Sequence, residues 1–150
     1  MRHGEPCLYF FAMGKILLVD DEASIRSAIR EILEYEGYEV CEAGSGEQAL
    51  KVAQEEDVVL ALVDVKMPGM NGVETLEHLK NAHCFPVIMI SAHATIDMVV
   101  DAIGKGAYDF ISKPIDMHRL LISTRNAVEK VRLENEVATL KEQLQKVTNH

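Results

Sequence analysis

A doubly wound α/β fold, with five parallel strands in the order 2-1-3-4-5 and a last helix that outruns the domain, is predicted by three features of this 150-residue chain. Short apolar runs alternate five times with segments of helical periodicity, the pattern of strand–helix units joined by right-handed crossovers. The runs are apolar throughout rather than at every second residue, as strands buried on both faces of a sheet are. Asp20-Asp21-Glu22, Asp64, Ser91 and Lys113-Pro114 each follow such a run directly or within three residues. At the carboxyl edge of a parallel sheet these scattered positions converge.

Ile16-Leu17-Leu18-Val19 is the first run, and Ala23 to Tyr35 then carries Ile25, Ala28, Ile29, Ile32 and Leu33 at helical spacing, closed by Gly37. Glu39 to Ala43 reads as a short strand and Gly46 to Glu55, with Ala49, Leu50 and Ala53 on one face, as the second helix. Val58 to Val63 is the third strand. The turn-rich Met67-Pro68-Gly69-Met70-Asn71-Gly72 leads from it into a helix over Val73 to Leu79. Pro86 to Ile90 is the fourth strand, and the helix Thr95 to Ile103 has Ile96, Val99, Val100 and Ile103 as its apolar side, ending at Gly104 to Gly106. Asp109 to Ile111 gives a short fifth strand, with the final helix starting near Asp116.

In that helix Leu120, Leu121, Thr124, Ala127, Val128 and Val131 suit a sheet-covering face. Leu133, Val137, Leu140, Leu144 and Val147 continue at alternating spacings of four and three, the seam of a coiled coil. Two heptads also fit a solvated amphipathic extension. The chain therefore divides into an N-terminal extension (1–13), a domain (14–130) and a helical linker (131–150). Residues 1–12 are expected either to pack on the domain or to precede a translation start at Met13. The end at Val147-Thr148-Asn149-His150, in mid-pattern and uncapped, reads as cut from something longer.

A net charge of -9 and 48% hydrophobic residues describe an acidic chain with enough apolar content for one core. The charge argues against direct binding to a nucleic-acid backbone, which needs a basic face. Cys7, Cys41 and Cys84 are odd in number and irregular in spacing, fitting neither a disulfide framework nor a zinc site and pointing to a reducing compartment. The apolar stretch Cys7 to Met13 is at the lower limit for a signal peptide and no cleavage site follows, so a cytoplasmic protein without membrane attachment is expected.

The first and third strands are neighbours in this sheet order, which brings Asp20, Asp21 and Asp64 together. Carboxylates so gathered repel unless a cation sits among them, and Mg2+ is the oxygen-seeking ion that also favours phosphate. Capping of the first helix is the plainer reading of Asp20 and Asp21. A third carboxylate arriving by topology, with an amine opposite, outweighs it. Asp64 is the candidate nucleophile, able to attack phosphorus and form an acyl phosphate. Lys113 supplies compact positive charge for the oxyanions and the Ser91 hydroxyl a donor, so that metal, lysine and hydroxyl together cover three equatorial oxygens. Taken singly, these are a surface lysine and a turn hydroxyl; jointly they form a site. Pro114 admits a cis peptide that aims the amine inward.

Val19-Asp20-Asp21-Glu22, the run from Leu62 through Asp64 and Lys66 to Gly72, Ile90-Ser91-Ala92, and the run from Gly106 through Phe110 to Lys113-Pro114 together resemble the receiver domain of bacterial two-component response regulators, over about residues 14 to 130. The resemblance implies a phosphoacceptor rather than an enzyme, one that takes part in its own phosphoryl transfer and dephosphorylation. On it, Asp64 accepts the phosphoryl group from a sensor histidine kinase. Asp21, Asp64 and the Lys66 main-chain carbonyl hold Mg2+, Asp20 supports the metal through water, and Ser91 and Lys113 contact the phosphoryl. It also implies a switch in which Ser91 is drawn toward the phosphoryl, Phe110 turns inward, and the face of the fourth helix, fifth strand and fifth helix repacks. Phe110 stands where tyrosine is common and lacks the hydroxyl a partner could read.

The stretch from Ala94 to Phe110 and the long helix with Arg132-Leu133-Glu134-Asn135-Glu136 are similar to nitrogen-regulator-type transcription activators. Those join a receiver to an ATPase that acts on alternative-sigma-factor polymerase and to a DNA-binding domain, which implies transcription regulation and motivates a homodimer through the last helix. Three rivals compete. A haloacid-dehalogenase-type phosphatase wants a second acid where Lys66 stands, and a cap insertion. A flavodoxin-like cofactor binder shares the sheet order, but Asp20-Asp21-Glu22 would repel its phosphate. A receiver kept only for docking retains the fold without phosphorylation, yet all five site positions are intact here. His78, His83, His93 and His118 are unpaired at metal-ligand spacing and are expected on the surface.

Overall fold

A computed structural model describes residues 14–148; the expected N-terminal extension, with Cys7, lies outside the described residues. The elements alternate as expected: β1 (Lys15–Val19), α1 (Ala23–Tyr35), β2 (Val40–Ala43), α2 (Gly46–Glu55), β3 (Val58–Asp64), α3 (Gly72–Ala82), β4 (Val87–Ser91), α4 (Ile96–Gly104), β5 (Asp109–Ser112) and α5 (Met117–Thr148). The five strands form one sheet in the order β2-β1-β3-β4-β5, and every pairing is parallel.

Because successive strand side chains point to opposite faces, the apolar runs feed two cores at once. Leu17, Val19, Ala61, Val63, Val87 and Met89 pack with Ala49, Leu76, Leu79 and Ala102 of α2, α3 and α4. Ile16, Leu18, Leu60, Leu62, Ile88 and Ile90 pack with Ile29 and Leu33 of α1 and with Leu120, Ala127 and Val128 of α5. Central strands sandwiched in this way read as unbroken apolar stretches.

Two local expectations are corrected. Gly72 belongs to α3 rather than to the preceding loop, and Asn71 caps that helix in a capping box with Glu74. The apolar side of α4 faces outward: Ile96 is 83% exposed, Val100 65% and Ile103 45%. α4 is seated instead by Ala102, whose small side chain meets the core near Ala107 and Phe110. A short helix over the sheet edge has room for one such contact row, so its larger residues are left in solvent.

α5 has two apolar stripes. At about 100° per residue, the stripe through Leu120, Thr124, Ala127 and Val131 and the stripe through Leu133, Val137, Leu140, Leu144 and Val147 lie roughly half a turn apart. The first covers the sheet; the second is exposed along its whole length. Among the described residues, no helix is long and apolar enough to cross a membrane.

Candidate functional site

Asp20 follows β1, Asp64 is the last residue of β3, Ser91 the last of β4, and Lys113 follows β5. These four strands are adjacent in the sheet, so their carboxyl ends set the four side chains in a row. Main-chain bonds lock the row, with Val65 N–H donating to the Ile90 carbonyl and Lys113 N–H to the Ser91 carbonyl, both at 2.8 Å. Gly72 packs the start of α3 against the end of β3, where a Cβ would overlap the Asp64 carbonyl oxygen and the Val65 Cα. Only glycine allows that approach.

Asp20, Asp64 and Ser91 are buried, while Asp21 is exposed at the rim. Asp20, Asp21 and Asp64 each present a carboxylate oxygen, all within 4.8 Å of one another. Lys113 Nζ lies 3.4 Å from Asp64 Oδ2 and 3.5 Å from Asp20 Oδ2. One ammonium thus answers three carboxylates. The hard, all-oxygen donor set with surplus negative charge fits a Mg2+ ion.

Burial raises the Asp64 carboxyl above its ordinary pKa, and the nearby Asp20 charge adds to the rise, while Lys113 and the Lys66 main-chain amide pull the other way. Burial opposes the charge on Lys113, yet Asp64 and Asp20 outweigh it and hold the ammonium above its usual value. A carboxyl whose pKa is higher folded than unfolded favours the folded state most below its unfolded pKa, and that contribution is lost as pH rises through the folded pKa. Asp64→Asn in Mg2+-free buffer is therefore expected to raise the thermal midpoint at neutral pH by a few degrees, roughly the effect of 1 kcal/mol. The gain should shrink as pH falls into the usual carboxylate range from above and be gone below that range, and a midpoint lowered at pH 7 would contradict the assignment of Asp64 as electrostatically uncomfortable.

The row opens into a cleft of about 760 Å3 lined by Asp21, Asp64, Lys66, Ser91, His93, Met98 and Lys113 among others. Ser91 Oγ accepts from the His93 main-chain N–H at 3.2 Å, leaving the hydroxyl proton free to donate into the cleft. The Lys113–Pro114 peptide is cis. Pro114 itself borders a separate apolar groove with Ile25, Ala28 and Met117. Phe110 does not line the cleft; it lies half-buried against the α2–α4 side of the core, beside Asp109. Asp20 and Asp21 do not cap α1: the N-cap is Glu22 with no side-chain cap bond, and Asp20 Oδ1 accepts from Glu22 N–H at 2.9 Å.

His78, His93 and His118 are exposed as expected, whereas His83 is half-buried and stacks on Phe85 with ring centroids 5.2 Å apart. Sequence reasoning passed over Met98, placed in the cleft by the Thr95 cap of α4, and Arg26, whose guanidinium reaches the Asp20 main chain. The apolar run Met98-Val99-Val100 concealed the first, and a single arginine on a helix carries no signal of its own.

Residues 16–125 match the family described as the response regulator receiver domain. The chain is 41% identical over 130 residues to the nitrogen assimilation regulatory protein NtrX of Azorhizobium caulinodans, a match covering 85% of this chain and 29% of that protein. The crystal structure of NtrX from Brucella abortus in complex with ADP superposes with a TM-score of 0.80 at 36% identity, covering 88% of this chain and 30% of the other. The receiver domain of the same Brucella protein gives 0.73 at 38% identity, over 77% of this chain and 98% of the other. The chain thus spans less than a third of the longer NtrX-type proteins it matches. With the parallel sheet in the order 2-1-3-4-5 and the acid, hydroxyl and lysine row at its carboxyl edge, the match over residues 16–125 makes this chain a member of the response regulator receiver domain family.

Proposed function

We propose that this receiver is a phosphorylation switch in a two-component relay that regulates transcription, with Asp64 as the residue that takes the phosphoryl group from a sensor histidine kinase. The observation that carries the reading is the buried Asp64 carboxylate facing Lys113 Nζ at 3.4 Å, in a cleft open to a donor. An Asp64 oxygen attacks phosphorus, the bond from phosphorus to the donor's imidazole nitrogen breaks, and that nitrogen leaves with the electron pair. Lys113, released from its contact with Asp64, turns its charge on the new phosphoryl oxygens, and the free Ser91 proton donates to another. Asp21, Asp64 and the Lys66 main-chain carbonyl would hold Mg2+, with Asp20 supporting it through water. When bound, that ion supplies charge neutralisation among the carboxylates and at the phosphoryl oxygens.

The movement of Ser91 toward the phosphoryl leaves space into which Phe110 turns, and α4, β5 and α5 repack around it. The exposed Ile96, Val100 and Ile103 lie on α4, one of these three elements. The intact mass of the chain after incubation with Mg2+ and a small acyl phosphate tests the reading. Gain of one phosphoryl group supports it. A folded protein that gains nothing would instead be a docking module with a receiver fold.

The division into a domain over 14–130 and a helical linker over 131–150 is supported by the two stripes of α5, the first of which ends at Val131, and the second stripe supports a homodimer. Val137 and Leu144 fall at a positions and Leu133, Leu140 and Val147 at d positions, and the Val137–Leu140 layer, β-branched at a with leucine at d, is of the kind suited to two strands. Because that stripe points away from the sheet, a partner helix meets it without disturbing the domain. Leu140→Asp is expected to convert a dimer into a monomer at roughly 50 µM in sedimentation, with the thermal midpoint of the receiver unchanged. A parent chain that sediments as a monomer at that concentration would refute the pairing. Downstream ATPase and DNA-binding domains complete the proposed whole protein, while this fragment, at a net charge of -9, makes no direct nucleic-acid contact.

A further inference from the structure

The helix that follows the acidic loop begins differently from its neighbours. α2, α3 and α4 are capped by the side chains of Ser45, Asn71 and Thr95, but at α1 the Glu22 side chain caps nothing. A carboxylate turned back on the α1 amides would be one withdrawn from the cleft. Besides the bond from Glu22 N–H to Asp20 Oδ1, the loop is held from outside. Asp20 N–H donates to the Ala43 carbonyl at 3.2 Å, and the Asp20 carbonyl accepts from Arg26 Nη1 at 2.5 Å.

Arg26 is itself held. Its Nε donates to Glu42 Oε1 at 2.9 Å, and the other Glu42 oxygen accepts from Arg30 Nη1 at 2.6 Å, while Arg30 Nε reaches Glu34 at 3.2 Å. Strand register sets Glu42 opposite Leu18 and Ala43 opposite Val19, so β2 grips the end of β1 through both main chain and side chain. Two guanidiniums meet two carboxylates, and the group adds no net charge beside the acids. Arg26 and Glu42 are only 18% and 25% exposed, which shields the pair from water.

We propose that Arg26, oriented by Glu42, is a positioning residue for the divalent-cation site, fixing the Asp20-Asp21 main chain so that both carboxylates stay gathered against Asp64. This rests on reading the acidic edge as a Mg2+ site. A planar guanidinium can serve the carbonyl and the carboxylate at once; an ammonium in its place cannot match both directions. The sign of the effect separates positioning from simple charge. Deleting a cation near an acidic site strengthens Mg2+ binding through Coulomb attraction alone, whereas releasing the loop weakens it.

Mg2+ is titrated into the parent chain, Arg26→Met and Arg26→Lys, following backbone amide shifts, with thermal unfolding of each recorded alongside. The Arg26→Met dissociation constant is expected to rise on the order of tenfold, as loss of outer-shell partners of metal ligands does, and that of Arg26→Lys by less. The Mg2+ concentration for half-maximal phosphorylation should rise in parallel while the rate at saturating Mg2+ holds. Mg2+ binding by a folded Arg26→Met that equals or exceeds the parent's overturns the proposal and leaves the Mg2+ reading standing. Should Arg26→Met fail to fold, parent-like binding by Arg26→Lys overturns it and weakened binding supports it. A parent that binds no Mg2+ removes the reading and the proposal together.

Discussion

Asp64→Ala is expected to take up no phosphoryl group from a small acyl phosphate in the presence of Mg2+, while the parent gains one. The effect is all or none because the substitution removes the nucleophilic oxygens at the end of β3. The variant should fold at least as well as the parent: Asp64 is buried, and burial together with the neighbouring Asp20 charge disfavours its ionised form. Intact mass after incubation, with peptide mapping of the modified residue, reads the outcome. Equal gain by parent and variant would move the acceptor to another residue.

Lys113→Met should slow phosphorylation by at least about a hundredfold, the usual loss when one group aimed at developing negative charge is removed. The same change should leave Mg2+ binding equal to the parent's or tighter, because the ammonium that now stands 3.4 and 3.5 Å from Asp64 and Asp20 no longer competes with the ion. This opposition distinguishes a group that acts on the phosphoryl from one that merely maintains the fold. Lys113→Arg should recover only part of the rate, since a guanidinium is bulkier and spreads its charge. Phosphorylation of Lys113→Met at the parent's rate would exclude the lysine from the chemistry.

Much of the molecule was legible in its order of residues. The runs Ile16 to Val19, Val58 to Val63 and Pro86 to Ile90 are apolar at every position, which only a strand covered on both faces requires, and the helical stripes between them supply the covers. Parallel strands with helical crossovers leave few sheet orders, so the convergence of Asp20, Asp64, Ser91 and Lys113 followed from their places at strand ends. The Asn71 to Glu74 capping box has a sequence signature too, a cap residue followed three positions later by glutamate, but placing the loop through Gly72 and the helix start at Val73 missed it.

Other features were decided by the packed structure. Periodicity identifies which side of α4 is apolar, but not that Ala102 would seat the helix and leave Ile96 and Val100 in water. His83 carries no sign of its stack on Phe85. Arg26, Glu42 and Arg30 lie on different elements, and their link to the Asp20 carbonyl exists only because β2 pairs beside β1 in one register. Local pattern determines element type and the direction in which strands end, since both depend on neighbours a few residues away. Side-chain partners across elements depend on distances of a few ångströms between segments far apart in the chain, and those are set only when the sheet and its covering helices pack together.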